Sequence, residues 1–186
     1  MTKFQRILNG ILTVVFILGI NAAAVHADEA TLDQLFGELQ APELEDWEAV
    51  EKRIWDEWSK SGSESMDLLL ERGREAISEG DHQAAIEHLT ALTDHAPDFA
   101  EGWNARATAY FHAGLLGPSI EDIGRALALN PRHFGAMSGL GTILTQLGYE
   151  EDALEIYRQA IAVHPHRTDL KDAIETLEKV VEGTNL

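Results

Sequence analysis

The chain has 186 residues, enough for one domain built around one core. It holds no cysteine, which excludes disulfides, thiolate metal sites, a cysteine nucleophile and a lipid-modified N-terminal cysteine. Its formal charge is -18; beyond residue 27, 12 of the 14 Lys and Arg face all 32 Asp and Glu, a body that repels nucleic acid and anionic lipid head groups and favours basic partners.

Residues 1–27 read as a cleavable export signal. Lys3 and Arg6 open it, an apolar run from Ile11 to Ile20 follows, and the small-residue tail Asn21 to Ala27 offers cleavage after Ala24 or Ala27. The alternative is a retained anchor, since Ile7 to Val25 is nearly long enough to span a bilayer. Either way the remainder faces a compartment outside the cytoplasm; with cleavage, no membrane insertion is expected.

Residues 28–65 read as an acidic helical hairpin with its loop. Thr31 with Gln34 forms a capping-box pattern ahead of the apolar stripe Leu32, Leu35, Phe36 and Leu39. Pro42, with Glu43 and Glu45, is expected to open the second helix, on which Leu44, Trp47, Val50, Ile54 and Trp58 share a face with Trp55 at its edge. The hairpin is expected to shield the first repeat from water. Its three tryptophans also make it a second candidate for partner contact, through Trp55.

From residue 66 the sequence repeats. Pro97, Pro131 and Pro165 are spaced by 34, as are Gly80, Gly114 and Gly148, and Leu69, Trp103 and Met137. The period fits two helices and two turns: glycine ends the first helix where positive φ is needed, and proline stops the second. Small positions such as Gly73, Ala107, Ala126, Gly141 and Ala160 let the paired backbones approach.

These residues resemble the tetratricopeptide repeat family over about residues 66–165, with units at 66–99, 100–133 and 134–167 and a solvating cap helix in 168–186. Arg72 and Arg106 depart from the family's aliphatic position, and Pro118 enters the second unit near a helix start. The resemblance implies an all-α, right-handed helical solenoid, and the layout is similar to short exported repeat proteins of Gram-negative bacteria. A periplasmic location is therefore expected.

No nucleophile elbow, phosphate-cradling loop, zinc-protease His-Glu pairing or Rossmann fingerprint occurs, so no enzyme and no cofactor is expected. His88 and His95 are two helical turns apart, and His164 and His166 flank Pro165 in a turn; no metal is assigned to either pair.

The resemblance instead implies a concave wall, built from the first helix of each unit, that receives a protein or peptide segment. The inward positions give a groove of Arg74, Asn104, Thr108, Phe111, His112, Gly135, Ser138, Gly139 and Thr142. Members that clamp the carboxylate tail of heat-shock chaperones carry Lys, Asn and Arg at matching positions. Only Arg74 and Asn104 resemble them, while Gly135, Ser138 and Gly139 depart, which argues against that ligand. Each glycine inside a helix costs about 1 kcal/mol relative to alanine. Gly141 is explained by close helix packing; Gly135 and Gly139 reflect either the same packing or a flat floor for a ligand backbone. Two functions follow: a monomeric, non-catalytic envelope scaffold with a basic partner, or an assembly chaperone that holds exported clients.

Overall fold

The computed structural model describes residues 31–184, and the export-signal reading of 1–27 lies outside them. The described residues form helices and turns only. A short helix, α1, covers residues 31–39, followed by α2 (Trp47–Trp58), α3 (Glu64–Glu79), α4 (His82–His95) and α5 (Ala100–His112). Then come α6 (Leu116–Leu129), α7 (Phe134–Gln146), α8 (Glu150–Val163) and α9 (Thr168–Thr184).

Helices α3/α4, α5/α6 and α7/α8 pack as antiparallel pairs, the pairs stack in order, and α9 lies against α8. One turn is repeated three times. Gly80, Gly114 and Gly148 have φ of 78°, 76° and 78°, a left-handed conformation that glycine alone adopts without steric penalty. The next residue closes the motif each time: Asp81, Leu115 and Tyr149 donate their amide to the carbonyls of Ala76, Tyr110 and Leu144 at 2.9 Å. Asp81 also caps α4 by accepting from the Ala84 amide at 3.0 Å.

The core is accordingly a row of clusters along the stack. Leu70, Ala85, Leu89 and Leu92 fill the first pair; Ala107, Ile123, Ala126 and Ile143 join the second pair to α7; Ala153, Tyr157, Leu170 and Leu177 join the third pair to α9. Gly73 and Gly141 are packing positions, since a Cβ at either would stand 2.5 Å from the Leu89 or Tyr157 side chain.

Of the two arginines out of pattern, Arg72 is exposed, and Arg106 is explained by partial burial with a partner. Its Nε and Nη2 donate to Asp122 at 2.7 and 2.9 Å, and Nη1 donates to Thr93 at 2.8 Å. The carboxylate holds the guanidinium even more firmly protonated than usual. Pro118 sits in the first turn of α6, where no backbone donor is lost.

Two features of the hairpin differ from expectation. The second helix does not open at Pro42: residues 42–43 and 45–46 form turns, and α2 starts at Trp47. The acids Glu43, Glu45 and Asp46 repel one another along a helix, and Asp is better suited to turns and caps. The hairpin also does not shield the first repeat. Its apolar face, Leu35, Phe36, Leu39, Val50, Ile54 and Trp58, closes instead over Phe134 at the start of α7. Gln40 donates to the Ala162 and Val163 carbonyls at 3.0 and 2.9 Å, satisfying the open end of α8.

Candidate peptide-binding groove

Successive first helices lie side by side, α5 touching both α3 and α7, and their shared face is concave. Asn104, Thr108 and Phe111 of α5 meet Gly135, Gly139 and Thr142 of α7 around one cavity of about 140 Å³. Ala107, Ile123 and Ile143 give it an apolar base; Ser119 also reaches it, and its hydroxyl is committed to the Ala107 carbonyl at 2.8 Å. The mouth is polar. Thr108 and Thr142 are exposed, and Asn104 spends its amide N–H on Glu101 at 3.1 Å, so its oxygen remains for another donor.

The two unexplained glycines separate here. A Cβ on Gly139 would find only Ile123 Cδ1, at 3.7 Å, so this residue keeps the cavity open. A Cβ on Gly135 would stand 2.5 Å from Cη2 of Trp55, so Gly135 is filled by the hairpin and is not free floor. Trp55 itself is fixed: its ring meets Trp58, His133 and Phe134 edge-on at 5.2, 5.5 and 5.6 Å, and Nε1 donates to Glu51 at 3.3 Å.

Next to the cavity runs an open trough of about 440 Å³, lined by Trp55, Asp56, Arg74, Ile77, Asn104 and Thr108 among others. Arg74 lies there and is engaged, donating to Glu101 at 2.6 Å and to Ser59 at 2.9 Å. Ser138 does not line the cavity; its hydroxyl donates to the Phe134 carbonyl at 2.8 Å. His112 does not join the groove either. It is exposed at the end of α5, and its ring stacks near His82, 5.8 Å away, because it sits one residue round the helix from Phe111.

Beneath the trough lies a polar knot that spacing does not reveal. Glu101, 3% exposed, receives Arg74 on one oxygen, and Asn104 and His133 on the other. His133 is fully buried, and its Nδ1 accepts the Ala136 amide at 3.1 Å as cap of α7; Nε2 therefore carries the proton and donates to Glu101 at 2.8 Å. Trp58 stacks on this imidazole at 4.2 Å. His164, also fully buried, lies 5.3 Å from Trp47 and 3.4 Å from Glu51. Among the described residues no group of three or more His, Asp or Glu converges as a metal would need, and no helix is long and apolar enough to cross a membrane.

The tetratricopeptide repeat model matches residues 70–117 and 119–169. A TPR repeat-containing protein of Rhizobium etli is 33% identical over 153 residues, which cover 82% of this chain and 75% of that protein. Small glutamine-rich tetratricopeptide repeat-containing protein 2 of Mycosarcoma maydis is 29% identical over 117 residues, 63% of this chain but only 33% of that longer protein. Among solved structures, the Sgt2 TPR domain from Aspergillus fumigatus superposes with a TM-score of 0.62 at 25% identity, covering 66% of this chain and 83% of that one. The first TPR of Spaghetti (RPAP3), bound to the HSP90 peptide SRMEEVD, gives 0.62 at 23% identity, covering 64% and 95%. With the repeat model matched over more than half its length and a relative above 30% identity, the chain belongs to the tetratricopeptide repeat family.

Proposed function

We propose that this protein is a non-catalytic binding scaffold of the bacterial periplasm, exported by residues 1–27, whose groove receives a segment of a protein partner. The observation that carries the reading is the cavity between α5 and α7: six residues singled out by repeat register meet there, and Gly139 keeps it open. The charge of -18 favours a basic partner, and peptide binding by a TPR relative such as the RPAP3 domain supports a concave-face ligand.

The test is affinity capture from the native envelope with the tagged chain, run beside Gly139→Leu, which fills the cavity. A few stoichiometric partners retained by the wild type and lost by the variant support the scaffold. A broad set of unfolded clients points to an assembly chaperone, and capture unaffected by the variant removes the groove from the reading.

A further inference from the structure

The concave face has two chemically different halves. At the α5–α7 seam the cavity of about 140 Å³ has an apolar base and a polar mouth, and its size matches one benzene-sized or leucine-sized group. Toward α3 the trough continues into a second one lined by Asp67, Glu71, Arg74 and Glu75, which shares Ser59 and Arg74 with the first. Arg74 does not neutralise these acids, because its guanidinium is spent on Glu101. Among the described residues no cation pairs with Glu71 or Glu75, and both are exposed. Asp67 already accepts the Ser61 amide and hydroxyl, and Arg72 lies beside Glu75 without pairing with it, so an apolar socket and an acidic strip led by Glu71 and Glu75 share one wall.

We propose, resting on the groove reading above, that the partner segment is extended, places one apolar side chain in the α5–α7 cavity and sets Lys or Arg against Asp67, Glu71 and Glu75. Neighbouring helix axes are about 8–10 Å apart, and an extended residue covers about 3.3 Å. The basic residues therefore lie roughly three to six positions from the apolar one. The unused oxygen of Asn104 lies at the mouth with the Thr108 and Thr142 hydroxyls, which donate to the Asn104 and Ser138 carbonyls, so all three are left to accept from the segment's backbone N–H groups. An acidic segment such as SRMEEVD, held by the RPAP3 domain, meets like charge here.

The probe is a set of labelled synthetic peptides of about ten residues on a Gly-Ser background, read by fluorescence anisotropy with the full chain. They carry Leu or Ser at one position and Lys-Lys, Gln-Gln or Glu-Glu three to six residues away on either side; SRMEEVD is the acidic control. The Leu and Lys-Lys peptide should bind at least tenfold tighter than its Ser or Glu-Glu counterpart, and SRMEEVD weakest of all. Gly139→Leu should erase the Leu preference. Glu71→Lys with Glu75→Lys, on an exposed helix face that leaves the fold intact, should invert the charge preference.

Equal affinity for Leu and Ser peptides, tighter binding of Glu-Glu, or no binding by any peptide up to about 1 mM overturns the inference. If that happens while Gly139→Leu still loses the captured partner, the groove reading survives without it. If Gly139→Leu keeps its partner, both fall.

Discussion

The indole of Trp55 occupies the space where a side chain on Gly135 would begin: a Cβ there would stand 2.5 Å from Cη2 and 2.9 Å from Cζ2. The N-terminal hairpin is thereby keyed into the third repeat, and a glycine that weakens α7 by about 1 kcal/mol gains a packing partner. The contact can be tested by its non-additivity. Gly135→Ala alone should push Trp55 out of its seat, destabilise by about 1–3 kcal/mol and shift tryptophan emission. In a Trp55→Ala background the same change should stabilise, because only helix propensity remains. Equal effects in both backgrounds, measured by thermal melting, would show that the two residues do not meet.

Asp122 should be indispensable singly and dispensable with its partner. Asp122→Ala leaves the Arg106 guanidinium, 12% exposed, without its carboxylate, which costs about 3–5 kcal/mol. Adding 34 to each number gives Leu140 and Ile156, the third repeat's apolar answer at the same two positions. Arg106→Leu with Asp122→Ile should therefore be neutral or stabilising in denaturant unfolding. A double variant as unstable as the single one would show that the ion pair itself holds the repeat together.

The sequence made the stack legible because its determinants are local and periodic: the glycine that must take positive φ and the proline that stops the second helix recur every 34 residues. The cavity followed from register, since Asn104, Thr108, Gly139 and Thr142 occupy inward phases of known helices. The hairpin's seat was not legible. Trp58 on His133, Glu51 near His164 and Gln40 on α8 join residues 75 or more apart, and no period encodes them. Gly135 and Gly139 look alike in sequence, and only the position of Trp55 tells them apart. A buried Arg106 reads as a defect until Asp122, one helix away, is seen to face it.

Acid should loosen the hairpin before it unfolds the repeats. Glu51 of α2 has its pKa lowered, chiefly by the His164 imidazole 3.4 Å away, then by the Trp55 N–H and by Arg167, against an opposing effect of burial. A carboxylate depressed in the folded state contributes stability above its unfolded pKa and loses it as pH falls through the folded one, here below the ordinary glutamate value of about 4.3. Emission from Trp47 and Trp55 should change across that window ahead of helix loss. In Glu51→Gln the hairpin should be weaker at neutral pH and this acid step absent. An unaltered step in the variant would assign the titration to another group.

Long-range attraction and short-range recognition at the groove should separate kinetically. The acids that draw a basic partner are exposed, so raising salt from about 0.05 to about 0.5 M should slow association while dissociation changes little. The cavity acts after contact. Asn104→Ala with Phe111→Ala removes a mouth acceptor and an apolar wall, and should speed dissociation about ten- to a hundredfold with an unaltered salt slope. Glu101 retains Arg74 and His133 in that variant, so the knot beneath the trough persists and melting confirms a folded protein. Trp55→Ala should speed dissociation less than the Asn104 and Phe111 variant does, because Trp55 meets the partner's path only along the trough wall and otherwise packs on Gly135 and the aromatic seam. Should Trp55→Ala release the partner while the Asn104 and Phe111 variant holds it, the hairpin and not the α5–α7 cavity is the binding surface.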